Sequence, residues 1–223
     1  MEQHVIQSSC RQETKAVLDC ACGTVQHLYM LSELGYRVHG SDFSASMLSV
    51  ASKNLENCRK NIPLRHCDFR YLEQAFAEQF DAVVCLTTSL PHLHTDEDLV
   101  TALRSMKDRL RTHGVLVLIQ GTTPYTLSLP PIEVVVNRED FCRIFVKEHD
   151  NQFQTIHVLD LYHSKERLES SQYDIVYKII LDDDYGRLLT EAGFGNIQIY
   201  GDYDRSPYCE ESRRLIVVAQ RAE

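Results

Sequence analysis

Short apolar runs alternate with amphipathic stretches through the first half of the chain. The apolar runs predict buried strands at residues 16–20, 37–40, 64–67, 80–86 and 115–120. Between them, apolar residues at helical spacing predict helices at residues 25–34, 44–58 and 95–114. The run at 80–86 is nearly all apolar, which is typical of a strand covered on both faces. This alternation predicts a parallel, doubly wound sheet.

The pattern changes after Gly121. A loop with three prolines comes first, and three runs rich in β-branched and aromatic residues follow it, at 142–147, 155–162 and 173–181. Short polar segments separate these runs, so an antiparallel meander is expected rather than another crossover.

The α/β pattern then resumes with a helix that is predicted to end at Gly193. Two apolar runs close the chain, at 196–201 and 213–220, with no helical pattern between them, which favours antiparallel pairing. We therefore predict an α/β fold. It comprises a doubly wound, mostly parallel seven-stranded sheet and an antiparallel three-strand insertion before the last helix.

Composition and charge narrow the choice of partners. The chain has 43% hydrophobic and 25% charged residues, as in ordinary globular proteins, and a formal net charge of −9. An acidic balance disfavours nucleic acid and anionic membrane as partners. No apolar run approaches the roughly 20 residues of a membrane helix, and the start of the chain does not resemble a signal peptide. The eight cysteines form no CxxC pair, so we expect reduced thiols, a cytoplasmic location and no metal site.

The most informative residues lie where the first two predicted strands end. In a doubly wound sheet the ligand sits beyond the carboxyl ends of the strands. Gly23 allows a close approach of the backbone, and Asp42 is placed to accept hydrogen bonds from two ribose hydroxyls. The alternatives are a turn glycine and an aspartate that only caps the next helix, although Ser44 is the better cap. A dinucleotide site would need GxGxxG, and Val25 and Gln26 replace the small residues expected there, so NAD is disfavoured.

The segment VLDCACGTVQHLYMLSELGYRVHGSDFSASMLSVA (17–51) resembles the first and second motifs of class I S-adenosylmethionine-dependent methyltransferases. Later segments match in order: CDF, FDAVVCLTTSLPHL, RTHGVLVL and LLTEAGFGNIQIYGDYDRSP. The resemblance spans nearly the whole chain. Within the class the sequence is most similar to small-molecule methyltransferases of the glycine N-methyltransferase type.

The resemblance implies S-adenosylmethionine as cofactor, S-adenosylhomocysteine as product, and in-line methyl transfer to a small molecule at nitrogen. Residues 1–223 would form a single methyltransferase domain, with the insertion at 122–181 covering the substrate side. Unpaired strand edges in the insertion could pair across a homodimer. Two alternatives remain open: a methyltransferase acting on RNA or protein, and a non-catalytic, methyltransferase-like binding or scaffold protein.

By position, the resemblance implies contacts to the methionine half of the cofactor from two strand ends. Asp19, Ala21 and Gly23 would face the methionine part. Leu86 and Thr87 would lie beside the activated methyl group.

The adenosine half would be held by the ends of the second and third strands. Asp42 would accept from the ribose hydroxyls, and Phe43 and Met47 would flank the adenine. Asp68 would accept from the adenine amino group, while the Phe69 amide would reach a ring nitrogen. The alternative for Asp68 is a helix N-cap.

Methyl transfer requires an aligned, deprotonated nucleophile in a nearly dry pocket. We predict Tyr125 and His92 as the substrate-facing catalytic residues. His92 forms an HxH pair with His94, for which the alternative is a solvated or capping role. Three further candidates lie at the expected mouth, of which the first could hold a substrate carboxylate: Arg143, His157 and Tyr162.

Three features depart from the family pattern. Val25 replaces a glycine, where its side chain could crowd the cofactor or pack under the helix. Thr87, Thr88 and Ser89 replace Gly-Asn-Ser. Relatives also have a longer first segment that supplies a lid and an arginine, a role we do not transfer to Arg11, so we expect a chain that is lidless or lacks its beginning.

Overall fold

The computed structural model describes residues 15–163 and 167–222, and the prediction about a lid at the start of the chain lies outside these residues. The described residues form eleven strands in two sheets. The strands are β1 (Ala16–Asp19), β2 (Arg37–Asp42), β3 (Leu64–His66), β4 (Phe80–Cys85), β5 (Leu110–Gln120), β6 (Ile132–Asn137), β7 (Phe141–His149), β8 (Phe153–His163), β9 (Leu168–Lys178), β10 (Phe194–Tyr200) and β11 (Leu215–Arg221).

Five α-helices connect the strands in the described part of the chain. They are α1 (Gln26–Glu33), α2 (Ala45–Asn57), α3 (Asp96–Asp108), α4 (Pro124–Ser128) and α5 (Asp182–Ala192). Two short 3₁₀ helices, Phe69–Gln74 and Leu90–His92, follow β3 and β4.

The larger sheet has the order β10-β11-β5-β4-β1-β2-β3. The pairs among β1 to β5 are parallel, and β11 pairs antiparallel with both β5 and β10. The strand order therefore reverses beside β1, between β2 on one side and β4 on the other. The predicted doubly wound, mostly parallel seven-stranded sheet is confirmed.

Apolar side chains on the two faces of this sheet form two separate core clusters. Neighbouring residues of β4 point to opposite faces, with Val83 in one cluster and Val84 in the other, and both are fully buried. Coverage on both faces is why this strand is apolar at nearly every position. The helix α3 packs on one face through Leu103 and Met106.

The helix predicted to run to Gly114 ends earlier, at Asp108, with Arg109 as its C-cap. The predicted end was wrong because Leu110 is fully buried and already pairs with Phe80 of β4. Burial and strand pairing at this position override the helical spacing of the preceding apolar residues. The strand β5 consequently has 11 residues.

The insertion contains four antiparallel strands in the order β6-β7-β8-β9, one more than the three predicted. The additional strand, β6, has the sequence IEVVVN and is largely exposed. It follows directly on a pair of prolines and lacks the alternation of apolar and polar residues that marks a half-buried strand. The strand β6 forms by pairing with β7 and not by burial of one face, so its sequence lacks the apolar pattern from which a strand is predicted.

The amino edge of the sheet is closed by a carboxylate on β4. Both Lys15 and Ala16 donate their backbone amides to Asp81 Oδ2 at 2.8 Å, and Arg111 forms an ion pair with the same side chain. These bonds satisfy the backbone amides at the start of β1. They lie at the edge of the sheet opposite to the strand ends that carry the candidate site.

Gly40 lets α1 lie close against β2. A Cβ atom at this position would collide with Leu28, and it would lie 2.9 Å from a Leu64 methyl carbon and 3.1 Å from Cys22 Sγ. These neighbours are packed in the core, so they have little room to move.

We expect Gly40→Ala to lower the free energy of unfolding by about 1–3 kcal/mol through overpacking. Gly186→Ala is the matched control, because Gly186 lies inside α5 with no atom within 4 Å of the added Cβ. It should raise the free energy of unfolding by about 0.5–1 kcal/mol. Urea titration measures both changes, and equal stability of the two variants would contradict the packing at Gly40.

Candidate functional site

A cleft of about 560 Å³ opens at the carboxyl edge of the seven-stranded sheet. It lies where the strand order reverses, which is the position at which doubly wound sheets bind ligands. Eight of the ten residues predicted to hold the cofactor line this cleft: Ala21, Gly23, Asp42, Phe43, Met47, Asp68, Phe69 and Thr87.

The carboxylate of Asp42 joins the turns that follow β1 and β2. Its Oδ2 accepts a hydrogen bond from the Gly23 amide at 2.8 Å, and its Oδ1 accepts one from the Ser44 amide at 2.8 Å. The capping of α2 falls to Ser44, whose Oγ accepts from the Met47 amide at 3.3 Å. Asp42 is therefore not the cap, and its remaining lone pairs face the cleft that it lines.

Gly23 takes a left-handed conformation, with φ of 52°. This conformation turns the chain sharply after β1 and brings its amide to Asp42. The predicted need for glycine in this turn is explained by its backbone geometry.

Asp19 lies beneath the same turn and is only 1% exposed. Its Oδ1 accepts from the Ala21 amide at 3.1 Å, whereas its Oδ2 is buried without a hydrogen-bond partner among the described residues. The pKa of Asp19 is raised to about 6: burial raises it most and the negative charge of Asp42 adds to this, whereas the Ala21 amide and His27 lower it. A donor that reached this oxygen from the turn would satisfy it.

Val25 does not face the cleft. Its side chain is 3% exposed and packs in the core cluster beneath α1. Its φ of 72° is left-handed, an unfavourable conformation for a β-branched residue. The glycine of related sequences is thus replaced by a residue that gains burial at the expense of backbone strain.

Apolar side chains form the outer wall of the cleft at the end of β2. Phe43 is 68% exposed and Met47 is 47% exposed, although both line the cleft. The Phe43 ring stacks on His66 with centroids 6.0 Å apart, and His66 Nε2 is 2.7 Å from the Phe43 carbonyl oxygen. An aromatic ring held open to solvent beside a cleft provides a surface for a flat, apolar ligand group.

Asp68 caps the 3₁₀ helix after β3, as its alternative interpretation predicted. It accepts from the Arg70 amide at 2.9 Å, and the Arg70 guanidinium forms a fork on both of its oxygens. Partial burial raises the pKa of Asp68, but the hydrogen bonds from Arg70 outweigh this effect and hold it below its usual value. Arg70 also donates to Asp98 at 2.8 Å and so fixes this wall to α3.

The loop after β4 forms the opposite wall. Leu86 is 1% exposed and lies behind the lining, whereas Thr87 reaches the cleft. Thr87 and Thr88 both have left-handed backbones, with φ of 67° and 62°. The Thr88 amide donates to the Ile119 carbonyl at 3.1 Å, which ties this turn to the end of β5.

His92 also lines the cleft. Burial lowers the pKa of His92, and the neighbouring His94 lowers it further. The ring of Tyr177 on β9 meets the His92 ring edge-on, with centroids 4.8 Å apart. The insertion therefore touches the cleft wall at the residue predicted to act on the substrate.

Tyr125 is not among the residues that line this cleft. It lies in α4, where its hydroxyl accepts a hydrogen bond from Arg213 at 3.0 Å and its ring stacks under the same guanidinium. The structure does not bring Tyr125 together with His92, and its predicted catalytic role stays a prediction.

The other three candidates lie on the insertion sheet. Arg143 forms a bidentate ion pair with buried Asp160, with both distances 2.7 Å. His157 is bonded to Asp174 at 2.7 Å on the surface, and the Tyr162 ring packs against Phe141. These contacts give each side chain a structural role.

The sequence did not indicate Arg70 or Tyr177. Arg70 belongs to no recognised motif. It lies two residues after Asp68, and side chains at that spacing do not face each other on a helix, so the sequence does not predict their contact. Tyr177 is distant from His92 along the chain, so only the fold places them together. An arginine adjacent to a predicted cap residue is the one local signal that could have been used.

Fold and cleft together define a nucleoside-binding protein of the doubly wound class. A family model described as a methyltransferase domain matches residues 17–114. A glycine/sarcosine N-methyltransferase of Aphanothece halophytica is 30% identical over 207 residues, covering 93% of this chain and 76% of the relative. A putative methyltransferase of Bacillus subtilis is 25% identical, covering 95% and 86%.

Solved structures give the same result. A sugar N-methyltransferase from a Streptoalloteichus species has a TM-score of 0.81 at 25% identity, covering 100% of this chain and 85% of that one. A methyltransferase from Clostridium acetobutylicum has a TM-score of 0.86 at 16% identity, covering 100% and 91%. The chain belongs to the class I S-adenosylmethionine-dependent methyltransferases. It is a methyltransferase whose cofactor is S-adenosylmethionine.

The residues of the cleft fit this cofactor. Asp19 lies behind the cleft lining, and its buried Oδ2, which has no hydrogen-bond partner among the described residues, suits an ammonium group held over the first turn. Asp42, which lines the cleft, suits a pair of hydroxyls. Phe43 and Met47 offer apolar surface to an aromatic base. We expect the amino-acid end to lie over the first turn and the base to lie towards β3.

We expect Asp42→Ala to weaken binding of S-adenosylhomocysteine at least about tenfold, because hydrogen bonds to a charged acceptor are worth about 1.5–3 kcal/mol each. Isothermal titration calorimetry measures the change. Asp81→Ala is the control, because Asp81 also accepts two backbone amides but at the opposite edge. That variant should lose stability and keep its affinity. Undiminished affinity in Asp42→Ala would remove Asp42 from the site.

A second prediction concerns pH. A cofactor ammonium group beside Asp19 would favour the ionised carboxylate and lower its pKa from about 6. Affinity should therefore be full above pH 6 and fall as the pH decreases through about 6, with a proton released on binding. Calorimetry at pH 6 in two buffers of different ionisation enthalpy detects that proton. Equal proton release in Asp19→Asn would show that another group is responsible.

Proposed function

We propose that the chain transfers a methyl group from S-adenosylmethionine to an amine nitrogen of a small molecule. The observation that carries this proposal is the position of the His92 imidazole in the wall of the cofactor cleft, where burial lowers its pKa. Named relatives support the choice of nitrogen: a glycine/sarcosine N-methyltransferase and, over 46% of this chain, an amino-sugar N,N-dimethyltransferase of Streptomyces fradiae.

The bound cofactor supplies an electrophilic methyl group, and the protein supplies alignment and proton transfer. Asp42 and the apolar wall at Phe43 and Met47 would hold the adenosine, with the methyl group near Thr87. An amine is largely protonated at neutral pH and lacks the lone pair that an in-line displacement needs. The His92 imidazole, which its lowered pKa keeps unprotonated, would accept that proton and free the lone pair. The bond from nitrogen to the methyl carbon would then form as the bond from carbon to sulfur breaks, with S-adenosylhomocysteine as the leaving group.

We place the acceptor between the cleft and the insertion. The insertion at 122–181 would then cover the substrate side, as the sequence predicts. Tyr173, Ile175 and Tyr177 alternate along β9 and so share one face of the insertion sheet, opposite Val158 and Ile156 of β8. Because Tyr177 touches His92, this face is turned towards the cleft. An aromatic and aliphatic wall would exclude water around the amine. The chain would act as a single methyltransferase domain.

The alternative of a non-catalytic scaffold is favoured if the Val25 side chain crowds the cofactor rather than packing under the helix. The buried position of its side chain, outside the cleft lining, weakens that alternative. The net charge of −9 continues to disfavour RNA as substrate.

The finer features of partner and location are also part of this proposal. The edge strand β6 exposes Ile132 and Val134, at 64% and 56%, and would pair with a second copy in a homodimer. Among the described residues, no helix is long and apolar enough to cross a membrane. The described cysteines are free thiols, which supports a reducing, cytoplasmic environment.

We expect His92→Gln to lower kcat about 10²-fold with little change in S-adenosylhomocysteine affinity, because it removes the base and leaves the adenosine contacts. Turnover is measured on a panel of glycine, sarcosine and amino sugars. His157→Gln is the control, because His157 lies on the surface and pairs with Asp174.

In the wild type, kcat should be constant above the lowered pKa of His92 and fall as the imidazole becomes protonated below it. An acidic limb that is unchanged in His92→Gln would exclude His92 as the base. Cofactor binding without turnover of any amine would support the scaffold instead.

A further inference from the structure

We infer that Tyr177 is a positioning residue: it fixes the His92 imidazole in the cleft wall and shields it from water. The catalytic consequence rests on the proposed function, whereas the positioning itself does not. Nothing in the family motifs marks Tyr177, because it belongs to the insertion rather than to the strand ends.

The contact between the two rings is direct. The His92 and Tyr177 centroids are 4.8 Å apart and their planes are inclined at 68°, which is an edge-to-face pair. Such pairs are favourable beyond the area that they bury, so the contact favours one orientation of the imidazole.

The residues on both sides of Tyr177 contact the loop that carries His92. His94 Nε2 lies 3.2 Å from the Val176 carbonyl oxygen, and Lys178 Nζ lies 3.5 Å from the His94 carbonyl oxygen. Lys178 also forms an ion pair with Asp96 at 3.3 Å. Three consecutive residues of β9 thus contact one loop, so the Tyr177 ring cannot move away from His92 without breaking the contacts of its neighbours.

Few titratable groups face the imidazole. Within its own loop His94 disfavours a second positive charge, and from β9 the Tyr177 phenol lies against the ring. Burial raises the pKa of Tyr177, and Tyr173 raises it further, so the phenol stays neutral. Asp68 and Arg70 line the same cleft but are bonded to each other. Shielding by the Tyr177 ring is therefore the main contribution that β9 makes to His92.

The chemical consequence is that Tyr177, a residue of the insertion, keeps the His92 imidazole dry and correctly oriented to act as the base. Without the aromatic edge, water would reach the imidazole and its pKa would rise towards that of free histidine. The fraction of neutral base would then fall, and the ring would lose its fixed aim at the amine. The effect would appear in kcat and in its pH dependence rather than in cofactor affinity.

The test uses the full chain with isotope-labelled histidine and titrates the His92 ring by nuclear magnetic resonance, a measurement that needs no turnover. Tyr177→Phe should leave the His92 pKa in place, because the ring edge is preserved. Tyr177→Ala should raise that pKa towards 6.5. Tyr173→Ala is the matched control, because Tyr173 lies on the same face of β9 and does not touch His92.

In the wild type, a nuclear Overhauser effect between the two rings is expected, and this readout remains if Tyr177→Ala fails to fold. Absence of that effect, or an unshifted His92 pKa in a folded Tyr177→Ala variant, would overturn the inference. A shifted pKa with an unshifted acidic limb of kcat would instead keep the positioning role and refute His92 as the base.

Discussion

The candidate site depends on the carboxylate of Asp42. Its two oxygens accept the amides of Gly23 and Ser44, which belong to the turns after two neighbouring parallel strands. The Cys22 amide also donates to the Ser41 carbonyl at 2.9 Å, and Asn54 Nδ2 donates to the Thr24 carbonyl at 3.1 Å. Asp42 adds the side-chain link between the two turns, and it also lines the cleft. Local structure and ligand binding use the same side chain.

The β-branched residues with strained backbones lie in turns on the two sides of the cleft. Three β-branched residues in the described part of the chain have left-handed backbones: Val25, Thr87 and Thr88. All three lie in turns at the carboxyl edge, and each such conformation costs about 1–3 kcal/mol. The fully buried strands beneath, such as β4, provide a rigid base that can hold strained turns. We interpret the strained turns as a cost in folding free energy that is tolerated because these turns shape the two walls of one cleft.

Eight of the ten residues that the sequence predicted for the cofactor line one cleft, and the reason is physical. Asp19, Gly23 and Asp42 act within turns of a few residues, so spacing along the chain records their geometry. Contacts between distant segments leave no such record. The fork of Arg70 on Asp68, the end of α3 before Leu110, and the exposed strand β6 each depend on a neighbour that the local pattern does not identify. Tyr125 failed to reach the cleft for the same reason: its partner is Arg213.

This difference separates two kinds of specificity. The cofactor cleft is lined by turns at the carboxyl edge of the sheet. Residues such as Asp42 also hold these turns, so they cannot be replaced without disturbing the fold. In the proposed function, the acceptor is recognised where β9 packs against the loop after β4, a contact made by His94, Asp96 and Lys178. Side chains on the free face of an antiparallel sheet can be exchanged without disturbing the parallel sheet, because the two sheets share no strand. Substrate range can therefore vary by substitution on one face of β9 while the methyl donor stays the same.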